Sequence, residues 1–133
     1  MITDHGITAL IYAAREGHAE PVTALLSGVS NPQQLAEQRG VFENTALMWA
    51  ADNGHAVVVK KILEFVDDTE KLIFQVNNEG LNSFTYALKK GNMEAAELLF
   101  NKAKDRTALL LKKNNPDQRA GIEIMEPYIL EKF

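Results

Sequence analysis

Three stretches of this chain match one another at a constant offset, and that periodicity limits the fold more than any single residue does. Gly6 to Leu26, Glu43 to Phe65 and Gly80 to Leu99 align when shifted by 37 positions. Thr8, Thr45 and Asn82 then coincide, as do Leu10, Leu47 and Phe84, Tyr12, Trp49 and Tyr86, and Gly17, Gly54 and Gly91; His18 falls on His55. A unit repeated at such a period builds an array in which each copy packs only on its neighbours, so one unit can stand for the rest.

The central unit is the clearest. Thr45 is placed to cap a short helix running to Asp52, Ala46, Ala50 and Ala51 favour it, and Asn53-Gly54 ends it. The chain restarts at once as a second helix, Ala56 to Phe65, with Val57, Val58, Ile62 and Leu63 at helical spacing. So tight a turn makes the two helices antiparallel, and the small alanines let them approach closely. A single hairpin cannot bury both its faces and needs neighbours of its own kind.

The stretches TALIYAAREGH and TALMWAADNGH resemble the ankyrin repeat family, with the run from Gly80 to Leu99 as a third, more eroded copy. The resemblance implies an all-α solenoid of stacked helix-turn-helix hairpins, with repeats near 4–40, 41–77 and 78–114 and a half-repeat cap at 115–133. Two departures alter the expectation. The proline and histidine that follow the threonine in the family are Ala9 and Ile11, Ala46 and Met48, and Ser83 and Thr85, so other contacts must fix those turns. The period of 37 also exceeds the family's usual ~33. The surplus is itself periodic: Asn31, Asp68 and Asp105 stand as N-caps before short runs holding Leu35, Leu72 and Leu109, which reads as an extra helical turn per connection. The family's hairpin finger is expected to be shortened or reshaped. Beyond residue 115, Ile122, Met125, Ile129 and Leu130 give a terminal helix one apolar stripe, bent at Pro127.

Chemistry is poorly represented. There is no cysteine, phosphate loop, nucleophile elbow or His-Glu-x-x-His run, so no catalytic residue, metal or cofactor is expected. His18 and His55 are read as serving their own inter-helix turns, Asp67, Asp68 and Glu70 as capping the extra turn, and the basic residues from Lys89 to Lys113 as a solvated face. A net charge of -4 argues against a nucleic-acid partner, and the absence of a long apolar run or signal peptide argues against a membrane one. The reading is a soluble, cytoplasmic, non-enzymatic chain.

In the ankyrin family the first helices and preceding loops line a concave side where proteins dock. By that resemblance the contact positions are Tyr12, Arg15, Glu16, Val41, Phe42, Asn44, Trp49, Asp52, Asn53, Glu79, Leu81, Tyr86, Lys89 and Lys90, with His5 and Ile7 at the matching places of the first unit. The aromatic row Tyr12, Trp49 and Tyr86 has two readings, stacking between repeats or offering rings to a partner. The expected function is a protein-protein interaction module; the alternatives are a targeting domain of a larger protein and a self-assembling array. A chain ending at residue 116 should expose the apolar side of the third repeat, so light scattering should register self-association that the full chain lacks.

Overall fold

The computed structural model describes residues 8–110; the expected terminal helix at 115–133, His5 and Ile7 lie outside them. Three hairpins follow one another: α1 (Ala9–Glu16) with α2 (Ala19–Ser27), α4 (Ala46–Asp52) with α5 (Ala56–Phe65), and α7 (Ser83–Lys89) with α8 (Met93–Lys102). Each is followed by one short helix, α3 (Pro32–Ala36), α6 (Thr69–Phe74) and α9 (Arg106–Leu110). No strand occurs among the described residues.

The starts of the first helices and of the short helices are closed by side chains. Thr8, Thr45 and Asn82 accept the amide protons of Ile11, Met48 and Thr85 at 3.0, 3.3 and 2.8 Å. Where the family places a histidine, the Thr45 amide donates to Met48 Sδ at 3.5 Å, and the Thr85 hydroxyl donates to Asn82 Oδ1 at 3.0 Å. Asn31, Asp68 and Asp105 cap the short helices through the amides of Gln34, Lys71 and Ala108.

The first helices α1, α4 and α7 form one row and the second helices α2, α5 and α8 another; α3 packs on α5, and α6 on α8. Ala13, Ala14, Ala50, Ala51 and Ala87 are buried along the first row, which lets neighbouring helices close up. Val22, Leu26, Val58, Val59, Ile62, Leu99 and Phe100 fill the space behind it. Val57, expected in this stripe, is instead 58% exposed, because Val58, Val59 and Ile62 set the inward face of α5 and leave residue 57 on the opposite side. Leu72 and Leu109 are buried and Leu35 half-buried, so the extra helices are tied to the stack.

Polar side chains then lock each unit to the next. The Gln33 amide donates to Asp68 O at 3.1 Å and accepts from the Asp68 amide at 2.9 Å. At the equivalent place one repeat later, the Glu70 carboxylate accepts the amides of Lys104 and Asp105 at 2.9 and 2.8 Å. At the hairpin turns, His55 Nε2 lies 3.0 Å from Arg15 O, and Asn92 donates to Ala51 O and Asp52 O at 2.7 and 3.0 Å. This corrects the expectation for His55. Its own turn is already closed by its backbone, whose amide donates to Ala50 O at 2.9 Å, so the ring reaches back to a carbonyl at the end of α1 that the Asn53 side chain also meets. His18 is exposed and meets the Tyr12 ring edge-on, with centroids 6.4 Å apart.

If Gln33 and Glu70 are equivalent locks, Gln33→Ala and Glu70→Ala should each lower unfolding stability by about 1 kcal/mol in urea titrations, the net worth of a partly exposed hydrogen-bonded pair. Wild-type stability in both would show that water replaces them without cost.

Candidate functional site

Between α4 and α7 lies an open depression of about 250 Å³. Trp49 and Asp52 reach it from α4, Tyr86 and Lys89 from α7, Lys90 from the cap of α7, and Phe42, Asn44, Glu79 and Leu81 from the two preceding loops. Each is a contact position expected from the sequence. The remaining ones do not line it: Tyr12, Arg15 and Glu16 are on α1, half-buried Val41 is in the loop, and Asn53 at the α4 turn donates to Arg15 O at 3.0 Å.

The floor is a hydrogen-bonded network that sequence reasoning missed. Asn77, only 6% exposed, donates to Asn44 Oδ1 at 2.8 Å and to the Tyr86 phenol oxygen at 2.7 Å, while its own carbonyl oxygen accepts the amides of Glu79 and Leu81 at 2.9 and 3.0 Å. The Tyr86 hydroxyl donates to Asn44 Oδ1 at 3.3 Å. One asparagine thus shapes the 77–81 loop and ties it to the ring. The turn composition Asn77-Asn78-Glu79-Gly80 carried the signal, but the repeat alignment hid it because the equivalent of Asn77 is Gly40. Asn44 and Leu81, contact positions by the family resemblance, are 4% and 7% exposed; they shape the floor.

The finger before α4 is reshaped into a 3-10 turn, Val41–Glu43, closed by the Gly40 amide donating to Asn44 O at 2.9 Å. Phe42 and Glu43 both adopt left-handed backbone, with φ of 62° and 61°, which costs a non-glycine residue roughly 1 kcal/mol or more. Phe42 is 57% exposed at the rim, and its carbonyl accepts the Asn78 amide at 3.3 Å, joining the two loops.

Along the aromatic row, Tyr12 is exposed while Trp49 and Tyr86 are half-buried against the core. The link between Tyr12 and Trp49 is a cation: the Arg15 guanidinium sits 5.4 Å from one ring centroid and 5.8 Å from the other. Two polar atoms at the depression, Trp49 Nε1 and Asp52 Oδ1, are buried without a hydrogen-bond partner. The cation facing Asp52 Oδ1 is Lys90 Nζ at 3.9 Å. Burial raises the Tyr86 phenol above its usual value; the Asn44 hydrogen bond opposes this, and the Glu79 and Asp52 carboxylates add to it against a smaller opposing effect of Lys89. Elsewhere in the basic run, Arg106 donates to Phe100 O and Asn101 O and covers the Phe100 ring, finishing α8, while Lys102 and Lys104 are exposed. Among the described residues no three His, Asp or Glu side chains gather as a metal site would need, and no helix is long and apolar enough to cross a membrane.

A family model described as ankyrin repeats, in three copies, matches residues 10–109. The chain belongs to the ankyrin repeat family. Among solved structures it is similar to a chain in the crystal structure of the yeast ribosomal protein Rps3 in complex with its chaperone Yar1. The two share 26% identity with a TM-score of 0.74, over 93% of this chain and 90% of that one. No curated protein matches the sequence significantly. Within this ankyrin array, Tyr86→Phe should cost about 1 kcal/mol by removing the phenol from the Asn44–Asn77 network. Because the folded phenol titrates above its ordinary 10.0, the unfolded chain ionises first as pH rises. The phenol's contribution is therefore complete below pH 10.0 and lost as pH climbs through the folded value. Urea titrations at about pH 9 and 11 should show the wild type losing its advantage over Tyr86→Phe.

Proposed function

We propose that the chain is a non-catalytic protein-binding module whose partner docks on the concave side, across α1, α4, α7 and the loops before them. What carries the reading is the depression between α4 and α7, where side chains from two repeats and two loops converge on a floor already fixed by Asn44, Asn77 and Tyr86. A fixed floor lowers the cost of ordering side chains on binding. The groups gathered there are aromatic rings, amides and charges of both signs, suited to contact with another protein rather than to bond-making. Membership of the ankyrin family and a similar chain found in a complex of two proteins support a protein partner.

Trp49 is the critical residue because it stands at the centre of the row, half-buried under Arg15. Trp49→Ala should lower stability by about 2 kcal/mol, less than the ~3–5 of a fully buried aromatic. It should weaken a partner recovered by pull-down with the intact chain by about 2 kcal/mol or more, with smaller losses for Tyr12→Ala and Tyr86→Ala. Calorimetric titration of the folded variants checks this, and unchanged affinity in Trp49→Ala overturns it.

A further inference from the structure

The concave-face reading leaves open which chemistry the depression selects, and its charges point two ways. Lys89 and Lys90 line it from the end of α7, Asp52 from the end of α4, and Glu79 from the loop before α7. The lysines are exposed, Lys90 by 52% of its side chain, so an incoming carboxylate would gain a solvated surface pair of little worth. Asp52 differs. Its side chain is 19% exposed, its Oδ1 makes no hydrogen bond, and Lys90 stands at 3.9 Å, beyond hydrogen-bond reach. A donor cation that took the place of Lys90 would supply a charge-assisted bond that the free protein lacks. Aromatic walls favour the same sign, since the Trp49 ring already holds the Arg15 guanidinium at 5.8 Å. The field agrees: at the Tyr86 hydroxyl the Glu79 and Asp52 carboxylates outweigh Lys89. A volume of about 250 Å³ is on the scale of one side chain, below the ~300 Å³ of a small-molecule pocket.

Resting on the concave-face reading, we propose that this depression receives a basic side chain of the partner, an arginine or lysine whose charged head pairs with Asp52 and Glu79 and whose stem lies along Trp49 and Tyr86. Lys90 swings outward into solvent as the head enters.

A phage-displayed random peptide library, panned on the intact chain, tests this, with binders re-measured on folded Trp49→Ala and Asp52→Asn proteins. The expected result is a family of peptides sharing one fixed arginine or lysine and weakened by Trp49→Ala. Replacing that residue with glutamine should reduce affinity for the wild type by about 10-fold or more, the worth of a charge-assisted bond, and have little effect on Asp52→Asn. Peptides that need Trp49 but share a fixed acidic residue, or none that is charged, overturn the basic specificity and leave the concave-face reading standing. Peptides indifferent to Trp49→Ala, or a selection that enriches nothing, remove both.

Discussion

The distance between successive repeats is set where a glycine turn in one unit meets a side chain of the next. A Cβ on Gly17 would stand 2.7 Å from the His55 ring, and one on Gly54 would stand 3.0 Å from the Asn92 amide. Both glycines also hold left-handed φ, 79° and 75°, so the residue that closes the hairpin at low cost is the one that lets the neighbour's polar group reach a helix-end carbonyl. Helix ending and repeat stacking are one event here. Alanine along α1, α4 and α7 follows from it, because helices held this close leave room for little more than a methyl group between them.

A second set of contacts repeats the logic at the other end of each unit. Gln33 and Glu70 grip the chain just before α6 and α9, satisfying amides at the cap positions Asp68 and Asp105. These caps are the means by which the longer period is absorbed: the extra helices are buttresses pinned from the preceding repeat, with Leu72 and Leu109 buried beneath them. The array is thus stapled at the hairpin turn and at the connection, with apolar packing between.

What was legible in the sequence and what was not divides along the same line. Caps, turn glycines and apolar stripes act inside one unit within a few residues, so spacing reveals them; Thr45, Gly54 and Asp68 stand where local chemistry requires. Lateral contacts at the turns and connections join residues 34 to 41 positions apart, and no local rule assigns their partners. His55 was misplaced for that reason, and Val57 because a stripe of three adjacent valines does not say which one faces outward. The depression was half legible. Its lining positions followed from the family resemblance, but its floor depends on Asn77, whose equivalent one repeat earlier is a glycine, and on the left-handed backbone of Phe42 and Glu43, which neither residue type announces.

That last contrast separates the stack from its surface. Residues that hold the array keep the period: Gly17, Gly54 and Gly91 adopt the same φ region, and Gln33 and Glu70 do the same work one repeat apart. Residues around the depression break it. Asn44 corresponds to Leu81, Gly40 to Asn77 and Phe42 to Glu79, and the position one turn after the aromatic row carries Arg15, Asp52 and Lys89 in succession. A contact that serves stacking must recur in every unit, since every unit has the same neighbours. A contact that serves a partner meets a different part of that partner in each unit and has no reason to recur. The lone carboxylate in the middle of that row, between two cations, is therefore the kind of asymmetry that stacking does not demand. Its buried oxygen has no hydrogen bond within the array. The loss of period around the depression, beside turns and connections that keep it, is the physical ground on which recognition is proposed there.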